Sequence, residues 1–269
     1  VASTILFASV FRTFERSTYV YFAFLKRFAH PIVRIFAALC LITYGLTGSL
    51  YGPGLSFVAA FGDLASVLQV SFVVLGVSMA IGFQTRIAAM LGALLYLWCL
   101  AAIGPYMFMY THQLGAYALL IILGGGAWTI DHRFHLGWHF RKTLEYAAPL
   151  AFPILRISVG FSIIAAAVYA KFLHSNLALA VVESYGLTNV FPFDPLFIVL
   201  GAFIIEFLAG LMLMLGIEIR WTALFLVFWM TLGHLSMHEP WWVHLPLYGF
   251  GLAILCHGYD RYTLLGRLF

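Results

Sequence analysis

Charge is what this chain has least of: fourteen Lys and Arg and ten Asp and Glu make up 9% of its 269 residues. Soluble domains carry about 25% charged residues, so this sequence cannot build a wettable surface, and its solvent is expected to be lipid. Cysteine is also sparse. Cys40, Cys99 and Cys256 sit far apart, each inside an apolar run, which excludes a disulfide framework and a metal spacing and leaves them as packing thiols. A phosphate loop, a Ser/His/Asp arrangement, a CxxC pair and a dinucleotide fingerprint are all missing. The first 29 residues lack a signal peptide's charged start, apolar middle and cleavage site. They read instead as an interfacial amphipathic segment.

What fills the chain is apolar: 64% of residues are hydrophobic, and the mean hydropathy is +1.01. Backbone polar groups in lipid must be satisfied within the chain, which leaves helices or closed barrels. The apolar runs are continuous rather than alternating, so helices are expected. A span needs about 20 mainly apolar residues. Eight stretches qualify, near 31–50, 64–83, 86–104, 111–129, 151–173, 195–217, 220–237 and 241–258. Very short connections at Gln84–Arg86 and Glu218–Arg220 predict antiparallel hairpins.

With eight spans, thirteen of the fourteen basic residues fall on one side, and only Lys171 does not. Cytoplasmic loops are the Lys/Arg-rich ones, so both termini are expected to be cytoplasmic. This distribution accounts for the net charge of +4 without a nucleic-acid partner. Arg34 and Arg156, one turn inside the boundary, are placed to snorkel to headgroups. Arg86 and Arg220 sit at tight turns.

The sequence also repeats itself. PIVRI (31–35) recurs as PILRI (153–157), and GVSMAIGFQTR (76–86) recurs as GLMLMLGIEIR (210–220). His112 and the GGG at 124–126 line up with His244 and Gly258. The expected fold is therefore an all-α integral membrane protein of eight helices, arranged as two parallel four-helix repeats. Its parts are a cytoplasmic amphipathic segment (1–29), a first repeat (30–135), a cytoplasmic linker (136–150), a second repeat (151–262) and a tail (263–269). Chemistry is asymmetric: Lys171 and Glu206 stand where the first half has Ser49 and Phe72. The first half reads as scaffold and the second as the working half.

The second half resembles the DoxX family in Arg156 and Lys171 on its first helix. The likeness continues in Glu206, Gly210, Gly216 and Arg220 on and after its second. The first half keeps Arg34, Gly76, Gly82 and Arg86 but lacks the Lys and Glu, so the resemblance is to a tandem copy with one degenerate half. DoxX-like proteins include a membrane subunit of thiosulfate:quinone oxidoreductase. The resemblance implies an accessory subunit of a quinone-linked redox complex in a bacterial or archaeal cytoplasmic membrane, with other membrane subunits as partners. A catalytic activity of the chain alone is not implied.

Several side chains could carry chemistry. An ionised carboxylate within the bilayer is costly, so Glu206 requires a partner or a cavity. Lys171 is the obvious partner, but helical rise places it ~10 Å nearer the outer face, so a direct pair requires the Lys to reach inward or a water between them. His174, His234, His238 and His244 cluster at the outer end, rimmed by Trp241 and Trp242. Lys171, Glu206 and these four histidines form the candidate polar site, suited to a quinone headgroup whose carbonyls accept from His or Lys. An alternative gives His112 and His244 to a haem or chlorophyll as ligands. No metal site is expected, because the Glu that would act between two zinc-binding histidines instead follows them, as Glu239. The loop at 183–195, with two prolines and a glycine, is expected to lie across the outer mouth, bringing Glu183 or Asp194 near the histidines. The basic, aromatic stretch at 131–142 is expected to hug the cytoplasmic surface or dock a partner. Two further readings remain open: a purely structural subunit bracing a respiratory or photosynthetic assembly, and a small-solute transporter.

Overall fold

The structure, a computed structural model, describes residues 2–134, 144–237 and 240–264, with side chains of the first helix from 18 onward apart from 19. It is helical throughout; no strand occurs among the described residues. In chain order the helices are α1 (Ala2–Thr47), α2 (Phe57–Phe61), α3 (Ala65–Ile81), α4 (Thr85–Ile103), α5 (Thr111–Leu123) and α6 (Ile130–Arg133). They continue with α7 (Ala151–Ala167), α8 (Ser175–Ser184), α9 (Pro195–Leu215), α10 (Ile219–Met237) and α11 (Leu245–His257). A π-helical segment, Val168–Leu173, extends α7.

Among the described residues, six helical stretches are long and apolar enough to cross a membrane: Val20–Thr47, Phe57–Ile81, Thr85–Ile103, Pro105–Leu123, Ala148–Leu173 and Pro195–Leu215. The seventh expected span falls on α10. The eighth falls on α11, an apolar helix of only 13 residues. The segment expected to precede the first span is helical and continuous with it, making α1 46 residues long. The connection between the fifth and sixth expected spans contains a helix the sequence reading missed, α8, before the chain turns through Leu187–Asn189.

The helices alternate around a common core. Helix α1 packs on α3 and α11, α7 packs on α9 and α5, and the hairpins α4–α5 and α10–α11 close the ring. Buried residues from α1, α3, α4, α5, α7, α9, α10 and α11 form one continuous apolar cluster. Small residues let backbones approach where lipid offers no hydrophobic drive. A Cβ on Gly76 would stand 2.8 Å from Ala38 O, and one on Gly210 would stand 2.7 Å from Gly160 O.

The two tight turns have matching geometry. Gly82 (φ 71, ψ 40) and Gly216 (φ 73, ψ 40) end α3 and α9 in the left-handed region, which a Cβ disfavours. Phe83 N then donates to Ser78 O at 2.9 Å, and Ile217 N to Met212 O at 2.9 Å. Gln84 and Glu218 follow, both at positive φ.

The arginines behave differently from expectation. Arg34 and Arg156 do not snorkel; they are 4% and 2% exposed. Arg156 Nη1 donates to Leu213 O at 2.5 Å and Met214 O at 2.6 Å, and Nη2 reaches Tyr262 O at 3.4 Å. Arg34 Nη1 donates to Met79 O at 3.2 Å and Ala80 O at 2.8 Å, and Nη2 to Trp128 O at 3.0 Å. Each guanidinium satisfies carbonyls that a helix end leaves without an intrahelical partner. That demand, located beside the side chain, outweighs the pull of a headgroup further off. Arg86 also does more than mark a turn, donating to Ile121 O at 3.1 Å and Ile122 O at 3.2 Å at the end of α5. Arg220 donates to Leu255 O at 3.3 Å near the end of α11. These four residues define an arginine end of the bundle. The opposite end carries His174, His234 and His244.

Candidate functional site

Lys171 lies in the π-helical segment, whose wider turn re-aims side chains relative to a continued α-helix. Glu206 lies on α9. The separation expected from helical rise does not keep them apart: Lys171 Nζ stands 2.7 Å from Glu206 Oε2. The second carboxylate oxygen has its own donor, Trp229 Nε1 of α10, at 3.1 Å. Three helical elements thus converge on one carboxylate. The side chains of Lys171 and Glu206 are 20% and 12% exposed, so the pair is neither sealed nor free in solvent.

The same elements carry packed aromatic rings. Phe203 stacks on Phe172 at 5.8 Å and lies 5.7 Å from Phe207, and Phe225 lies 6.1 Å from Trp229. A charged couple with spare donors beside aromatic walls can hold a polar headgroup on an apolar body. Lys171 offers three N–H donors, and among the described residues Glu206 is its one hydrogen-bonded acceptor. Trp229 was missed in the sequence reading. Its signal was present, since an indole N–H within an apolar helix needs an acceptor, but which helix face it occupied was unknown.

The histidines are only partly gathered. The rings of His234 and His244 lie 6.3 Å apart. His234 Nδ1 is buried without a hydrogen-bond partner among the described residues. His174, at the start of α8, is exposed and packs 4.5 Å from Tyr169. No hydrogen bond or ion pair joins His174 or His234 to Lys171 or Glu206 among the described residues. His238 and Glu239 lie outside the described residues. In the loop, Asp194 caps α9 by accepting from Leu196 N at 2.8 Å, and Glu183 is exposed.

His112 and His244 have different surroundings. His112 is buried in α5, and its Nδ1 stands 2.6 Å from Ser162 Oγ of α7. That hydroxyl in turn donates to Met109 O, so His112 donates to it and Nε2 is left as the acceptor. His244 stands at the N-cap position of α11 without a side-chain capping bond, and its ring lies 6.2 Å from that of Tyr248. No group of three or more His, Cys, Asp or Glu able to hold a metal ion occurs among the described residues.

Asp131 has a structural task at the arginine end, accepting from Gln84 N at 2.8 Å and from Thr85 N at 2.9 Å. A shallow cleft nearby, about 150 Å³ including open solvent, is lined by Phe152, Arg156, Ile254, His257, Gly258 and Asp260. Phe152 stacks on His257 there at 3.7 Å. Among the described residues, the fold and site define an all-helical protein with six helical stretches fit for a bilayer and one Lys–Glu couple. Compared with protein-family models, curated proteins and solved structures, the chain matches none.

Proposed function

We propose that this chain is an accessory subunit of a quinone-linked redox complex, built as a tandem DoxX-type pair of four-helix units. The matched contacts support the duplication. An offset of 122 relates Arg34 to Arg156, and an offset of 134 relates Met79, Ala80 and Trp128 to Leu213, Met214 and Tyr262. The same offset of 134 carries Gly76 to Gly210 and Arg86 to Arg220. In this reading α10 and α11 are the last two of eight crossings. Helix α11 matches α5, also 13 residues long, and each follows a short 3₁₀ turn. The arginine end then faces the cytoplasm of a bacterial or archaeal cell, and the histidine end faces outward.

The observation that carries the function is the Lys171–Glu206–Trp229 group. Each Glu206 oxygen already accepts from a neighbouring helix, and the ammonium keeps donors for a quinone carbonyl. Intramembrane ionisable groups of this kind mark ligand or proton sites. The test is the quinone content of lipid extracted from purified wild type, Lys171→Met and Glu206→Gln. The expected outcome is quinone in the wild type, reduced about tenfold in Lys171→Met, since one charge-assisted hydrogen bond is worth ~1.4 kcal/mol or more. Equal quinone in all three overturns the reading.

One observation favours a second reading, a bracing subunit without chemistry. Both Glu206 oxygens already have donors on neighbouring helices. In that case the variants lose partner subunits on purification while quinone is absent throughout.

A further inference from the structure

The core does not run evenly from end to end of the second half. On α9 the inward stripe reads Val199, Ala202, Glu206, Gly210 and Leu213. Val199, Gly210 and Leu213 are buried, but Ala202 and Glu206, between them, are not. On α10 the stripe reads Leu226, Met230 and Gly233, buried only at Leu226. Two apolar clusters bracket this gap. The main core reaches Ile163, Ala209, Leu213 and Leu226, and a separate cluster of Val182, Leu187 and Val199 sits beyond it under α8. A Cβ on Gly233 would meet no atom within 4 Å.

We infer that the histidine-end portion of the second half is a ligand chamber, with Lys171 and Glu206 in its wall and Ala202, Met230 and Gly233 setting its size. The inference rests on the tandem, quinone-linked reading and deepens it. The residues at matched positions in the first half make the contrast. Leu68, Phe72, Tyr96 and Cys99 stand where Ala202, Glu206, Met230 and Gly233 stand, and all four are buried in the main core. Tyr51 packs among them, 5.7 Å from Phe72 and 5.6 Å from Tyr96. Where the second half carries part-exposed residues, the first half buries its counterparts among aromatic rings.

The walls select the occupant. Phe203, Phe207 and Trp229 suit a flat, mostly apolar body. Lys171 keeps N–H donors beyond the one it gives Glu206, while each Glu206 oxygen already accepts from a neighbouring helix. The spare ammonium donors suit a ligand that presents a hydrogen-bond-accepting oxygen, as a substituted quinone or a related aryl ketone does.

Gly233→Cys tests this directly, because it places a thiol at the position matched to the buried native Cys99. Cys40, Cys99 and Cys256 are all buried and serve as internal controls. In the folded protein, N-ethylmaleimide should label Gly233→Cys about tenfold or more faster than the native thiols. Adding Ala202→Leu, one turn along the facing helix, should slow that labelling about tenfold. The same Ala202→Leu should leave Ile204→Cys, on the exposed side of α9, unaffected. A Gly233→Cys thiol as inert as Cys99 overturns the chamber, and so does labelling indifferent to Ala202→Leu. Protection of Gly233→Cys by a fully substituted, short-tailed benzoquinone supports both chamber and ligand. Fast, Ala202-sensitive labelling without protection supports the chamber and overturns the quinone reading.

Discussion

Trp229 Nε1 donates to Glu206 Oε1 at 3.1 Å, on the carboxylate oxygen that Lys171 leaves free. A carboxylate held from two sides by different helices is both a clamp and a fixed charge. Its energetics can be separated by substitution.

Removing one member of the ion pair leaves the other part-buried and uncompensated. Lys171→Met or Glu206→Gln alone should destabilise the protein by roughly 3 kcal/mol, and Lys171→Met/Glu206→Gln should recover most of that loss. Thermal unfolding in detergent reads the cycle. Additive losses would show that the two groups do not act as a pair.

Trp229→Phe keeps the ring and deletes the donor. A hydrogen bond to a charged acceptor is worth ~1.5–3 kcal/mol, so a melting-temperature decrease is expected in wild type. In a Glu206→Leu background the same change should be nearly silent. An equal decrease in both backgrounds would assign the effect to packing.

The arginine clasps are predicted to be structural and intolerant of lysine. Arg156→Ala leaves Leu213 O and Met214 O without that donor and should cost roughly 3 kcal/mol. Arg156→Lys should recover little, because an ammonium lacks the planar fork that reaches Tyr262 O as well. Arg34→Ala and Arg34→Lys should follow the same order. Unfolding curves that place the lysine variants with wild type would contradict this.

Two glycines on α9 should respond oppositely to alanine. Gly210→Ala forces a methyl to within 2.7 Å of Gly160 O and should cost ~1–3 kcal/mol. Gly201→Ala meets nothing within 4 Å and should be neutral or stabilise by up to ~1 kcal/mol through helix propensity. Similar losses at both sites would mean that α9 does not present these faces as described.

The proposed orientation puts the arginine end in the cytoplasm. In intact cells an impermeant thiol reagent should label Trp241→Cys and spare Arg133→Cys, both exposed positions. Labelling of Arg133→Cys from outside would invert the orientation.

Composition and the continuity of the apolar runs determined the helical, membrane-compatible character of this protein, because a chain with 9% charge must satisfy its backbone internally and unbroken runs favour helices over a barrel. Local sequence also determined the turns at Gly82 and Gly216, where φ above zero favours glycine. Lys171 and Glu206 were legible as a couple because an isolated charge is too costly there. Their direct contact, the part played by Trp229 and the pairing of His112 with Ser162 were not legible. Those depend on a π-helical turn and on which helix faces meet, and sequence spacing fixes neither. The fate of Arg34 and Arg156 was likewise tertiary. A headgroup and a row of helix-end carbonyls compete for the same guanidinium, and only packing sets which lies within reach.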